Sequence, residues 1–576
     1  MQLNLNQTHH EIGDFEAIFQ DLTEILQRPN SEGLNLFPEL FLTGYPLQDL
    51  PLQKSFMQEY LQLLEDINLW SERRPKSNKE QLALLGGLNF LLNDQGQLIK
   101  IENVMFSLKP GEKLKIVAVK QLLPNYDLYE EKKYFSAGKE TTTIEFLGKK
   151  IGLLICEDMW FSHLHDRDPV KDLQKMAPLD LCINISASPY HLQKFDERLK
   201  RANEVAELLK CPVAYVNRVG FEDEILFDGQ SFLTDGKSLV LKAEQFKKDY
   251  LSTTLPSFQS NGMKYPDQAA SSWSTIFHQR LTEDKKRLKP LSDTECLEIL
   301  NALCFSLQEY AQKTNMQKFL VALSGGMDSA LVLTIAKLAL TKNQQIEAVF
   351  MPGFFSSSLS YDLSLDLCRN LGIKLTTFPI KFIHSTIRNN YRDTFQNELK
   401  GLADENIQSR LRGALIYARS NDTGAMVINT SNKSELAVGY STLYGDSVGA
   451  LSLLGDLYKT EVFDLARFIN KKYPGLIPED IISRPPSAEL RDDQKDEDSL
   501  LPYPELDALL EHLLSYQTSQ EDLKKLGFKE KDIQKIHLLW QRSEYKRKQF
   551  CPIVKIKHKS FGFGYRNPIL KKTFTF

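Results

Sequence analysis

From the first residues to about position 240, short apolar runs recur between stretches whose apolar residues return at helical spacing. The runs LALLGGLNF (82–90), KIVAVK (115–120), KIGLLIC (150–156), LDLCINIS (179–186) and PVAYVN (212–217) predict buried strands in an α/β layered fold. Between 251 and about 290 the periodicity lapses. There STTLPSFQSNGMKYPDQAASSWS, rich in Ser, Pro, Gly and Gln, predicts a linker or crossing segment. Beyond it, LEILNALCFSLQEYAQKT predicts a helix, and FLVALSGGMDSALVLTIAKLAL reads strand, loop, helix. EAVFMPG, TTFPI and MVINTSN predict further strands of a second α/β unit. The acidic, proline-flanked run RPPSAELRDDQKDEDSLLPYP (484–504) is expected to be a solvated surface excursion.

The length of 576 residues exceeds what one hydrophobic core supports, so the chain divides into 1–250, a linker at 251–290, and 291–576. Hydrophobic residues at 42% and charged residues at 25% exclude disordered, collagenous and fibrous classes for the whole chain. A net charge of −4 argues against broad nucleic-acid or anionic-membrane partners. No run approaches the roughly 20 apolar residues that a transmembrane helix needs, and residues 1–14 lack an apolar signal core. Seven scattered cysteines make no disulfide framework, so a reducing cytoplasm is the expectation.

The sharpest local feature is Ala322-Leu323-Ser324-Gly325-Gly326-Met327-Asp328-Ser329, between an apolar run and a helical pattern. Two glycines let backbone approach a phosphate closely, and a helix N-terminus adds free N–H groups and positive dipole. The lysine of the common phosphate loop GxxxxGK[ST] is missing. Asp328 would instead repel phosphate unless a divalent cation bridges the two, which points to pyrophosphate with Mg²⁺. Ser-Gly-Gly also makes ordinary tight turns, and the strand–loop–helix context is what favours the phosphate reading.

SGGMDSA resembles the pyrophosphate loop of the ATP-pyrophosphatase superfamily, whose members activate an acid as its adenylate. MPGFFSSSLSYD, ENIQSRLRG, INTSNKSELAVGYSTLYGDSVGALSLLGDLYKTEVFDLARF, SEYKRKQF and FGFGYRNPI narrow the resemblance to the NAD⁺ synthetases. That resemblance implies ATP contacts along 322–329 and at Thr430. It also implies deamido-NAD⁺ contacts at Asn406, Glu435 and Lys546, and Asp328 with Glu435 as a Mg²⁺ pair. The chain departs from the family pattern at Met327, Gly353-Phe354 and Tyr565. The chemistry agrees: a carboxylate becomes an amide only through a better leaving group than hydroxide, which AMP transfer supplies, and Mg²⁺ offsets the charge that builds on the phosphates. Taken singly, either carboxylate could equally be a helix-end or solvent-facing group.

An amide also needs nitrogen. In the first half, Glu39 follows a predicted strand, Lys120 ends KIVAVK, and Cys156 ends KIGLLIC. A strand-end thiol near a base and a cation fits nucleophilic acyl chemistry, with Cys156 attacking, Glu39 moving the proton and Lys120 meeting the oxyanion. A single buried cysteine is more often packing. As a set, however, they resemble the Glu–Lys–Cys triad of the nitrilase superfamily. FPELFLTGYP, LPNYDLYEEKKYF, GLLICEDMW, NISASPYH and AYVNRVGFEDEILFDGQSF resemble the glutaminase domain of glutamine-dependent NAD⁺ synthetases. The resemblance implies a nitrilase-like α-β-β-α sandwich joined to a Rossmann-like ATP-pyrophosphatase domain. It also implies glutamine contacts at Tyr126, Ser188 and Lys194, and Glu131 as a second carboxylate orienting Lys120. A homo-oligomer built on a dimeric synthetase core and a sealed ammonia path are further implications. Polar Asn4, Asn6 and His9 interrupt the opening strand, and Gln193 stands where the family prefers Gly. His163, His165 and His191 lack metal-ligand spacing and are read as surface or packing residues. A stand-alone amidase with a nucleotide-sensing second half is the competing reading. A scaffold without activity fits poorly with all three triad members and both metal carboxylates being present.

Overall fold

The computed structural model describes residues 1–75, 80–160, 164–265, 280–486, 489–491 and 500–572. His163, residues 266–279 of the predicted linker, and residues 487–488 and 492–499 of the acidic run at 484–504 lie outside them. Of the rest of that run, Arg484, Pro485, Pro486, Glu489 and Leu490 line a cavity of the second unit rather than standing wholly in solvent. The chain forms two compact units, Met1–Thr275 and Ile276–Phe576.

The first unit stacks two six-stranded sheets. One orders the strands Asp249–Thr254, Gln2–Gln7, Gly33–Leu36, Gln81–Leu92, Leu98–Leu108 and Lys115–Val119. The other orders Leu239–Lys242, Phe232–Thr234, Val213–Asn217, Leu181–Ser186, Lys149–Ile155 and Thr142–Phe146. The central strands of both are parallel. Such strands are buried on both faces, which is why they read as continuous apolar runs. Leu3, Leu5, Leu34 and Leu84 of one sheet meet Ile151, Leu153, Ile183 and Val216 of the other in the core between them. The helix Lys194–Leu209 packs its apolar stripe, Ala202, Val205 and Ala206, on the outer face of the second sheet. Helices Phe15–Leu26 and Lys54–Glu72 bury Leu22, Ile25, Tyr60 and Ile67, and the Tyr60 hydroxyl reaches Leu88 of the first sheet. The layering is α-β-β-α.

The polar residues of the opening strand sit on its outward side and are satisfied. Asn4 Nδ2 donates to Glu32 O at 2.9 Å and Asn35 Oδ1 at 3.2 Å, and Asn6 Nδ2 donates to Leu36 O at 3.2 Å. Leu3 and Leu5 still face the core, so the strand packs normally around its asparagines. The segment read as a linker also contributes here. Its first residues finish the edge strand Asp249–Thr254, antiparallel to Gln2–Gln7, and Tyr265 is buried against Arg201 and Asp168. DYLSTT is half-exposed at a sheet edge, so it carries no long apolar run to reveal it.

The second unit has one parallel five-stranded sheet, ordered Leu375–Thr377, Gln345–Phe350, Lys318–Leu323, Met426–Asn429 and Leu451–Ser452. Helices Asp293–Lys313, Met327–Ala339, Ser358–Leu371, Leu402–Thr423 and Lys459–Lys472 accompany it. Ser292 and Glu295 form a capping box that starts the first of these helices. A helical cluster including Tyr503–Glu511 and Glu530–Arg542 builds its own apolar core around Leu506, Leu509, Ile533 and Ile536. Among the described residues no helix is long and apolar enough to cross a membrane, and all seven cysteines are free.

Candidate active sites

Glu39, Lys120 and Cys156 stand at the ends of three strands or just past them. Glu39 opens the turn after Gly33–Leu36, which packs so tightly on the neighbouring strand that a Cβ on Gly86 would lie 2.4 Å from Leu40 N. Lys120 follows Lys115–Val119. Cys156 begins the 3₁₀ turn Cys156–Met159 after Lys149–Ile155, with φ of +48°. A non-glycine residue in this left-handed region is uncommon and persists only where its surroundings over-determine it. Asp158 supplies that constraint. Its carboxylate accepts the N–H of Ile155 at 3.1 Å, of Gln121 at 2.9 Å and of Leu122 at 2.8 Å.

The Lys120 ammonium lies 2.7 Å from Glu39 Oε1 and 2.8 Å from Glu131, with about 1% of its side chain exposed. Asn103 Nδ2 also donates to Glu39 Oε1 at 2.8 Å, and Ala187 N donates to Glu39 Oε2 at 2.8 Å. Burial pushes the Lys120 ammonium down, but Glu131 and Glu39 more than reverse this and hold it charged. Burial, then the Glu39 carboxylate, push the Cys156 thiol well above its usual range, although Lys120 pulls it down. The resting thiol therefore keeps its proton and needs a base to react.

Tyr126, Ser188 and Lys194 are each held by different neighbours. The Tyr126 hydroxyl donates to Glu157, beside the thiol, at 2.9 and 3.0 Å. His165 Nε2 meets the same carboxylate at 2.8 Å, so it is a buried partner of the residue next to Cys156. Ser188 follows the strand Leu181–Ser186, and Asn217 Oδ1 and the buried Arg198 hold it. Arg198 makes two bonds to Asp228, at 2.8 and 3.0 Å. Lys194 starts its helix 2.9 Å from Glu197, with its ammonium over the Trp160 ring. Gln193 before it adopts φ of +66°, the left-handed conformation for which glycine is suited. His191 is buried, 3.5 Å from Glu197.

In the second unit, Ser324, Gly325 and Gly326 join the strand Lys318–Leu323 to the helix Met327–Ala339. Gly325 has φ of +76°, and a Cβ there would lie 2.5 Å from Ser360 O. Every residue of 322–329 except Gly325 lines a cavity of about 260 Å³, and Thr430, Glu435 and Lys459 line it as well. Asn432 caps the helix Lys433–Val438 reciprocally with Glu435, and its Nδ2 donates to Asp328 Oδ1 at 2.9 Å. Lys459 pairs with Asp328 and lies 3.6 Å from Glu435. Asp328 and Glu435, 107 positions apart, thus share one ammonium at the cavity wall.

Asn406 and Lys546 do not line the cavity. Lys546 Nζ donates to Gly439 O and Ser441 O, each at 2.6 Å, and Asn406 Oδ1 accepts from Thr442 at 2.8 Å. Both brace the segment whose Tyr440 and Ser441 form part of the wall. Sequence reading missed Asn432, Lys459 and Arg412. Arg412 lines the same cavity with its guanidinium pulled down to about 10 by burial, still charged at neutral pH. It lies within ENIQSRLRG, the one signal that marks it.

The chain matches the family models described as Carbon-nitrogen hydrolase at residues 2–258 and NAD synthase at residues 299–550. It is 34% identical to the glutamine-dependent NAD(+) synthetase of Aquifex aeolicus, with both chains covered completely. It is 36% identical to that of Synechocystis, over 93% of this chain and 92% of the relative. Among solved structures, glutamine-dependent NAD⁺ synthetase from Acinetobacter baumannii, in complex with ADP, has a TM-score of 0.71 at 30% identity over 99% of this chain and 98% of its own. The counterpart from Cytophaga hutchinsonii, at 17% identity and a TM-score of 0.76 over 100% and 98%, speaks for the fold alone. Two family models in this order and relatives matched end to end place the chain among the glutamine-dependent NAD⁺ synthetases.

Proposed function

We propose that the chain makes NAD⁺ from deamido-NAD⁺ and ATP with nitrogen from L-glutamine, and that Glu39, Lys120 and Cys156 release that nitrogen. Cys156 Sγ attacks the glutamine carboxamide carbon while Glu39 takes the thiol proton. The oxyanion that forms lies against the Lys120 ammonium. Collapse breaks the C–N bond, Glu39 returns the proton to the departing nitrogen, and ammonia leaves a thioester. Water, deprotonated by Glu39, then attacks the thioester carbon, glutamate departs and the thiol regains its proton. Tyr126, Ser188 and Lys194 hold the substrate, with Lys194 on the α-carboxylate.

At the other site the deamido-NAD⁺ carboxylate attacks the α-phosphorus of ATP and pyrophosphate leaves. Ammonia then attacks the acyl carbon and AMP leaves. The Acinetobacter baumannii relative holds ADP, which supports a nucleotide in this cavity. Asp328 and Glu435 suit Mg²⁺, because both reach one ammonium at the cavity wall and two carboxylates with substrate phosphates make an ordinary Mg²⁺ set. When bound, the ion would offset the negative charge on the phosphates. Thr430 and the 324–326 backbone would contact ATP, and Asn406, Glu435 and Lys546 the dinucleotide. A cytoplasmic homo-oligomer acting on small molecules completes the reading.

The observation that carries it is the 2.7 Å contact of Lys120 with Glu39, buried and tied through Asp158 to the Cys156 turn. Supplying amide-¹⁵N glutamine with ATP and deamido-NAD⁺ tests it. The label should appear in the NAD⁺ carboxamide by mass spectrometry. Glutamine hydrolysis without any NAD⁺ would favour the stand-alone amidase instead.

A further inference from the structure

Glu39 and Glu131 share a single ammonium, but their other partners differ. Beyond Lys120, Glu39 receives Asn103 Nδ2 and Ala187 N, both at 2.8 Å. Glu131 has both oxygens 2.8 Å from Lys120 Nζ, and the other side-chain hydrogen bond it receives among the described residues comes from the Tyr45 hydroxyl at 3.1 Å. Tyr45 is 5% exposed and stands edge-on to Phe227. Its carbonyl accepts from the Arg218 guanidinium, which pairs with Glu222 at 2.7 Å and lies over the Phe227 ring. The tyrosine is thus fixed from behind, with its hydroxyl aimed at one carboxylate oxygen.

We infer that Tyr45 is a positioning residue for glutamine hydrolysis: its hydroxyl fixes Glu131 on Lys120 and so keeps the ammonium between the two carboxylates. Tyr45 belongs to none of the residues assigned above to catalysis or substrate contact. The charged and titratable groups facing Glu131 are Lys120, Glu39 and Tyr45, with Cys156, Tyr126 and Tyr129 beside them. Burial pushes Glu131 up, Lys120 pulls it down and Glu39 pushes it up again, leaving it at about 7, and the Tyr45 bond works downward. Burial holds the Tyr45 phenol well above its usual range, so it stays a donor at any working pH. When Glu131 takes up a proton, Lys120 loses an anionic partner and turns wholly to Glu39, so the ammonium is drawn away from its place between the two carboxylates.

The inference rests on the roles given above to Glu39, Lys120 and Cys156. It is tested by the full-length Tyr45→Phe variant, which keeps the ring and removes one oxygen. The pH profile of kcat/KM for glutamine hydrolysis should show its acid limb moved up by about one unit, the size of one hydrogen bond to a charged group. NAD⁺ formation from ammonium should keep its profile. An unmoved acid limb, or an equal loss at every pH, overturns the positioning role. Glutamine use retained by Cys156→Ala would overturn the underlying roles instead, so the two failures are distinguishable.

Discussion

The Asp158 carboxylate holds the backbone N–H of Gln121, the residue after Lys120, at 2.9 Å. Through that bond the turn carrying the nucleophile and the strand end carrying the ammonium form one rigid piece. Asp158→Ala removes acceptors for three buried N–H groups and frees Cys156 from its left-handed conformation. Misplacing a reacting atom by about 1 Å can cost about 10²-fold. Glutamine-dependent NAD⁺ formation should fall by that order while ammonium-dependent formation stays within a few-fold. Steady-state rates with the two nitrogen sources check this, and an unchanged glutamine rate contradicts it.

Glu197 gives the first unit a pH dependence of defined sign. Burial pushes its carboxyl up, but Lys194 and His191 more than reverse this and hold it well below the usual range. The stabilisation from a depressed folded pKa is full above the ordinary value near 4.5 and is lost progressively as pH falls below it toward the lowered folded value. Glu197→Gln should therefore melt below the parent near neutrality, with the gap closing as pH drops below about 4.5. A contribution of about 1 kcal/mol corresponds to about 2–4 °C in a domain of this size. Melting curves across pH measure it, and a gap that widens in acid would be the wrong sign.

Much of this was legible because buried parallel strands write themselves as apolar runs, and because Glu39, Cys156 and the 324–326 loop sit where such strands end. Lys120 instead follows Lys115–Val119, a largely solvent-facing antiparallel edge strand where the apolar run had predicted a buried one. The edge strand Asp249–Thr254 was not legible, since its faces are half-solvated and its residues polar. Lys459 stayed hidden because its partner Asp328 is 131 positions away, and no local pattern encodes that contact. Asp158 was visible as a charge, but its task depends on two N–H groups of the loop that follows Lys115–Val119. Gln193 shows a limit of a different kind. The structure keeps the left-handed turn there although the residue is not glycine.

Asp328→Ala or Glu435→Ala should lower NAD⁺ formation by at least about 10²-fold, with glutamine or with ammonium, because both routes need the adenylate. Glutamine hydrolysis, carried by residues of the first unit, should persist in both variants. Titrating Mg²⁺ against NAD⁺ formation adds a second readout. Near-parental synthesis by Asp328→Ala at ordinary Mg²⁺ would remove the carboxylate pair from the metal site.

The division of labour between the two sites is tested most directly by one variant and two nitrogen sources. Cys156→Ala keeps a Cβ at φ of +48°, so the turn is no more strained than before, and the packing loss is modest. Without the thiol no thioester forms, and glutamine cannot supply nitrogen. Asp328, Glu435 and the cavity around them are untouched, and concentrated ammonium at slightly alkaline pH provides neutral ammonia. NAD⁺ formation measured with each source should be absent with glutamine and near parental with ammonium. NAD⁺ from glutamine in this variant, or loss of both activities in a folded protein, would contradict the account.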